Sequence, residues 1–163
     1  MDPLPQDLKY MKAAMKQAQK ALSIREVPIG AVIVKDDRII ARGYNRKEIM
    51  MSTTKHAELI AIEKACGKLG NWRLEDCTLY VTLEPCMMCM GAILESRIRR
   101  VVYGAENFRL GFLKYLQENN EFAVRFLQVT RGVMAEESAQ ILKEFFKAER
   151  WLSSVESARL EIE

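Results

Sequence analysis

Two short stretches far apart in the chain, His56-Ala57-Glu58 and Pro85-Cys86-Met87-Met88-Cys89, limit the fold more than any other feature. Residues three apart on the first turn of a helix share a side, so Cys86 and Cys89 can hold one ion between their sulfurs. His56 is the single histidine of the chain. With two thiolates it makes a soft N/S donor set of the kind zinc takes. A fold that serves this set must bring the starts of two helices to one point. Three protein ligands leave one position of a tetrahedron open, and in a catalytic zinc site that position holds water. Glu58, two residues beyond His56, is then available to exchange protons there.

Periodicity fills in the rest of the chain. Leu8, Met11, Met15, Ala18 and Leu22 recur at three- and four-residue steps, which predicts a helix over about 7–23 with a methionine-bearing face on a core. Arg25-Glu26-Val27-Pro28 ends it. Ile29 to Val34 and Ile39 to Tyr44 are apolar, β-branched runs across the polar turn Lys35-Asp36-Asp37-Arg38, an antiparallel hairpin pattern. Asn45 to Lys55 has no period and reads as a loop. A second helix opens at His56 and runs to about Lys68, with Thr53 or Thr54 as its cap and Gly67 and Gly70 at its end. The positive end of its dipole keeps His56 neutral, as a ligand must be. Thr78 to Thr82 is a buried strand leading to Pro85, which suits the first position of a third helix. That helix start favours the thiolates of Cys86 and Cys89. Ile98 to Tyr103 and Phe126 to Thr130 are further strands, with a loop and a helix near Gly111 to Gln117 between them. The last helix covers about Ala135 to Trp151, with Ala139, Leu142, Phe145 and Phe146 on its inner side. This order predicts an α/β fold of three layers, α-β-α, around a five-stranded mixed sheet.

The 163 residues fit one domain, here 1–152, followed by a polar tail over 153–163 that is expected to fray. No apolar run reaches the ~18 residues of a membrane span. Met1-Asp2-Pro3-Leu4-Pro5 lacks the basic and apolar regions of a secretory signal, so a cytoplasmic protein is expected. Four cysteines with one C-x-x-C pair fit metal binding in a reducing compartment better than a disulfide framework. A net charge of +3 permits a nucleic-acid partner without arguing for one. Arg97, Arg99, Arg100, Arg109, Lys147 and Arg150 are the residues that would track its backbone.

A zinc ion on His56, Cys86 and Cys89 would bring the pKa of its water to about 7. Attack of zinc-bound hydroxide on an amidine-like ring carbon, with Glu58 taking the water's proton and passing it to the ring nitrogen and the departing amine, replaces an amino group by oxygen. H-x-E with P-C-x-x-C is the signature of the zinc deaminases. The competing reading is a closed structural zinc site in a non-catalytic binding module. Such a site needs a fourth ligand, and Cys66 near a helix end and Cys77 before a strand are poorly placed for it; both read as small buried apolar residues. Met87, Met88 and Met90 pack the third helix or line the pocket.

These motifs resemble the cytidine deaminase-like superfamily. The runs Arg25-Glu26-Val27-Pro28-Ile29-Gly30-Ala31-Val32 and Asn71-Trp72-Arg73-Leu74-Glu75-Asp76-Cys77-Thr78-Leu79-Tyr80-Val81-Thr82-Leu83-Glu84, with Glu144-Phe145-Phe146-Lys147, are similar to the bacterial tRNA-specific adenosine deaminases. The resemblance spans about residues 8–150. It implies a homodimer with one zinc per subunit that converts adenosine to inosine at the wobble position of a tRNA anticodon stem-loop, usually tRNA-Arg. It also implies that Asn45 hydrogen-bonds the base, that the Ala57 amide meets the ring edge opposite the zinc, and that Val27 forms part of the pocket wall. A deaminase of a free nucleobase, guanine or cytosine, is the alternative.

One loop departs from the family pattern Gly-Ala-x-Asp-x-x-x-Gly-Ala-x-Gly-Ser. It reads Gly104-Ala105-Glu106-Asn107-Phe108-Arg109-Leu110-Gly111-Phe112-Leu113-Lys114-Tyr115. Asn107 stands where the family has an aspartate that accepts from a ribose hydroxyl. A neutral amide accepts more weakly, so looser discrimination against DNA is expected. Phe112 and Tyr115 add bulk, either packed under the loop or available for stacking on unpaired bases.

Overall fold

The computed structural model describes residues 1–111, 116 and 125–160, with side chains to residue 154 in the last stretch. Gly30–Lys35 (β1) and Arg38–Tyr44 (β2) pair antiparallel. They are joined through Asp36 and Asp37, both at positive φ, 49° and 56°. Two left-handed residues form the tight turn whose twist matches that of the strands, here without a glycine. β1 also pairs antiparallel with Thr78–Leu83 (β3). β3 pairs parallel with Arg100–Ala105 (β4), and β4 parallel with Gln128–Thr130 (β5). The mixed sheet has the order β2-β1-β3-β4-β5.

Side-chain alternation along the strands gives the sheet two apolar faces. Ala31, Ile33, Leu79, Val81 and Val101 meet Ala57, Ala61 and Ala65 of α2 (Ala57–Leu69) and Met90 and Ile93 of α3 (Met87–Glu95). Val32, Val34, Tyr80 and Val102 face the other way, onto Tyr10, Met11 and Ala14 of α1 (Asp7–Ser23). The last helix, α4 (Ala135–Leu160), lies on that same side, where Ser138 Oγ comes within 3.4 Å of Met15 Sδ. This is the expected three-layer arrangement. No helix among the described residues is long and apolar enough to cross a membrane.

Several details differ from the sequence expectations. α1 buries Tyr10, Met11, Ala14, Met15, Ala18 and Ala21, while Leu8 and Leu22 stay 49% and 39% exposed. It turns its alanines to the sheet because it crosses β1 at Gly30, where a Cβ would collide with the Ala14 carbonyl and the Ala18 amide. Arg100 is buried rather than free to meet RNA: its Nη1 and Nη2 donate to Asp7 at 2.8 and 2.7 Å, and Nη2 also to Thr130 Oγ1 at 2.9 Å. α4 runs on to Leu160 instead of ending at Trp151, so residues 153–160 of the expected frayed tail are helical. On α4, Phe145 is buried but Phe146 is 45% exposed. The helix expected near Gly111 to Gln117 lies largely outside the described residues, as do Phe112 and Tyr115.

Candidate active site

Close approach of backbones sets the position of the histidine. A Cβ on Gly43 of β2 would run into the Ala57 carbonyl and the Ala61 amide, so a bare backbone lets the first turn of α2 rest on the strand. His56 is the N-cap of α2 (φ −74°, ψ 153°) and Cys86 the N-cap of α3 (φ −75°, ψ 172°). Neither side chain makes a capping hydrogen bond, and the imidazole and the thiol turn toward each other. The expected threonine cap is absent, because Thr54 Oγ1 lies 3.2 Å from Ser52 Oγ. Pro85 precedes the N-cap rather than occupying the first helical position.

Cys86 Sγ and Cys89 Sγ lie 3.7 and 3.5 Å from His56 Nδ1. All three donor atoms fall within 4.8 Å of one another. Tetrahedral zinc with bonds of about 2.3 Å to sulfur and about 2.0 Å to nitrogen sets N···S separations of about 3.5 Å. The donors are therefore spaced and chemically suited for one zinc ion. The remaining cysteines stand apart: Cys77 is buried in the core beside α2, and Cys66 Sγ lies 3.7 Å from the Trp72 carbonyl.

Electrostatics favour charge on one sulfur. The hydrogen bond from Cys89 holds the Cys86 thiol down to about 4, with His56 adding to the effect. The same bond, together with burial, pushes Cys89 up. The bond to Cys86 raises His56 in turn. Glu58, 4% exposed on the first turn of α2, is held above the usual carboxylate range by burial, against the pull of His56.

A cavity of about 510 Å³ opens over this group. His56, Glu58 and Cys86 line it together with Val27, Asn45, Ala57 and Asn107, so the structure gathers these residues, all expected at the site, with Cys89 at bonding distance behind them.

The MafB19-like deaminase family matches residues 5–150. Over 143 residues the chain is 46% identical to the tRNA-specific adenosine deaminase of Streptococcus pyogenes serotype M1, covering 86% of this chain and 84% of that one. It is also 46% identical over 147 residues to the tRNA-specific adenosine deaminase of Bacillus subtilis (strain 168), covering 88% and 91%. The chain belongs to the tRNA-specific adenosine deaminase family. A solved structure from work on A-to-I editing by tRNA:A34 deaminases at the wobble position superposes with a TM-score of 0.77 at 42% identity, over 82% of this chain and 99% of that one.

In this member of the family, the sequence expectations missed several cavity residues. Lys47 and Phe108 line it, as do Leu142 and Phe146 of α4, which read from their helical spacing as core. Phe108 is 92% exposed, at the mouth. Glu84 organises the departing loop: its Oε2 accepts from Asn107 N at 3.1 Å, and its carbonyl accepts from Asn107 Nδ2 at 3.4 Å. Asn107 Oδ1 accepts from Leu110 N at 3.0 Å. Each end of the Asn107 carboxamide thus makes one hydrogen bond within the loop, and its oxygen keeps a second lone pair. Its place directly before Pro85-Cys86 was the available signal for Glu84; nothing local marks Phe146.

Proposed function

We propose that this chain is a zinc-dependent hydrolase that converts adenosine to inosine at the wobble position of a tRNA anticodon. It acts on the anticodon stem-loop, with tRNA-Arg as the first substrate to try, and works in the cytoplasm as a homodimer with one zinc per subunit. The observation that carries this reading is the buried Glu58 carboxyl lining one cavity with His56 and Cys86, the two donors that Cys89 completes to a set of three. The names and identities of the relatives support a tRNA substrate.

His56, Cys86 and Cys89 would hold the zinc, which would supply a water acidified to about pKa 7. Glu58 manages the protons. Burial makes its carboxylate a better base than an exposed one, so it takes a proton from the attacking water, and the protonated form then delivers it to N1 of the purine. Attack at C6 and loss of the C6–N bond release ammonia, the amine leaving with a proton returned through the same carboxyl. Val27 and Ile29 wall the cavity with apolar surface, while Asn45 and the Ala57 amide orient the nucleoside. A non-catalytic zinc module has no use for a carboxyl kept dry beside the donors.

The test compares the zinc-loaded protein on an anticodon stem-loop and on free guanine, cytosine and adenine. Inosine formed in the stem-loop alone supports the reading, whereas ammonia from a free base favours the nucleobase alternative. Looser discrimination against DNA belongs to the same reading: Asn107→Asp should raise the RNA-to-DNA rate ratio, and an unchanged ratio would remove that part.

A further inference from the structure

Glu26 follows the left-handed Arg25 (φ 58°) at the end of α1 and is only 1% exposed. A buried carboxylate is costly unless its oxygens are hydrogen-bonded. Each of these oxygens takes a donor from the segment that follows β2: Oε1 accepts from Ile49 N at 2.7 Å and Oε2 from Asn45 Nδ2 at 3.3 Å. Asn45 Nδ2 also donates to the Val27 carbonyl at 3.3 Å. A carboxamide nitrogen has two protons, and both here face acceptors of the protein. That fixes the amide's orientation, since the flipped form would set Oδ1 against a carboxylate and a carbonyl at once. Asn45 lines the cavity, and the group it keeps for a ligand is Oδ1, which receives one long bond, from Lys47 N at 3.4 Å, and retains a lone pair.

We propose that Glu26 is the positioning residue that holds Asn45 as a hydrogen-bond acceptor toward substrate, and that the donor it selects is the ribose 2′-hydroxyl of the target nucleoside. This rests on the site being that of an RNA adenosine deaminase. Inside an RNA strand the 3′ and 5′ oxygens are esterified, which leaves adenosine two donors, its amino group and its 2′-hydroxyl. The amino group is the one replaced, so it lies at Glu58 and the His56, Cys86 and Cys89 set. The 2′-hydroxyl is the donor that remains. Purine ring nitrogens are acceptors and find no partner in an Asn45 held this way, so the contact goes to the ribose and not, as the resemblance implied, to the base.

The experiment uses the zinc-loaded full chain, wild type and Glu26→Gln, on two anticodon stem-loops that differ only in carrying adenosine or a single 2′-deoxyadenosine at the wobble position. In Glu26→Gln the shorter bond to Ile49 N keeps the amide oxygen, so the new amide nitrogen faces Asn45 Nδ2 and the Asn45 carboxamide must turn. Wild type should lose about ten-fold in kcat/KM on the deoxy substrate, the size of one ordinary hydrogen bond. Glu26→Gln should lose about as much on the ribose substrate, treat both stem-loops alike and keep its zinc. A Glu26→Gln enzyme as sensitive to the missing hydroxyl as wild type overturns the proposal. A second measurement needs no variant and no turnover: both side-chain amide protons of Asn45 should exchange slowly with solvent by NMR, and rapid exchange of either overturns the role of Glu26. If wild type leaves both stem-loops unchanged, the activity reading falls, while the exchange measurement still decides what Glu26 does.

Discussion

Burial of Glu58 to 4% exposure raises the affinity of its carboxyl for a proton, and a carboxyl that changes state nearer neutrality can both take and return one in a catalytic cycle. The three donors beside it have a separate job. Cys86→Ser and Cys89→Ser should each lower the zinc stoichiometry after dialysis, read by metal analysis, because a hydroxyl is a far poorer zinc ligand than a thiolate. Chelation of the wild type should abolish turnover and added zinc restore it. These residues were legible in the sequence because their chemistry depends on local spacing: three residues from Cys86 to Cys89, two from His56 to Glu58. Glu26 was not legible. Its partners, Asn45 and Ile49, come to it only when β1 and β2 have paired, and no local pattern marks a glutamate that will be enclosed.

At the scale of elements, hydrophobic period was enough to find the helices and strands and the hairpin of β1 and β2. It was not enough to orient α1. Leu8 and Leu22 have the right spacing for a buried face, yet the close crossing over Gly30 selects alanines for that face. Gly43 does the same work under α2, and there it bears on function, since His56 caps that helix. Gly43→Ala should cost about 1–3 kcal/mol, the range for overpacking, seen as a lower Tm. The same variant should bind zinc less tightly, as the helix start is lifted from the strand; a Tm loss with unchanged zinc affinity would separate the packing from the site. α4 extends past Trp151 because the polar stretch beyond it contains no glycine or proline to stop a helix, a signal outweighed in the sequence by its charge.

Across the whole molecule, one buried ion pair links the start of α1 to the far side of the sheet. Asp7 accepts from Arg100, from Tyr80 Oη at 2.8 Å and from Leu4 N at 2.6 Å, and Arg100 reaches on to Thr130 of β5. Asp7→Ala should destabilise the fold by about 3–5 kcal/mol, because it strands the Arg100 guanidinium in the interior. Burial alone would push the Asp7 carboxyl up, but the bonds from Arg100, Leu4 and Tyr80 outweigh it and hold the carboxyl below its ordinary value. A group depressed in the fold adds stability that is complete above its unfolded-state value, about 3.9, and is lost as the pH falls through the lower native value. The stability gap between wild type and Asp7→Asn in urea should therefore be full at pH 6 and shrink below about pH 4. Neither variant touches the cavity, which lies at the C-terminal ends of β3 and β4, where Leu83, Glu84 and Glu106 line it, while Arg100 stands at the start of β4. Glu58 within that cavity is the group on which turnover depends, and the most direct measurement is inosine formation in an anticodon stem-loop by zinc-loaded wild type and Glu58→Gln. Wild type should convert the wobble adenosine, and Glu58→Gln should keep its zinc while slowing by about 10²–10⁴-fold; a Glu58→Gln protein that turns over within a few fold of wild type would contradict it.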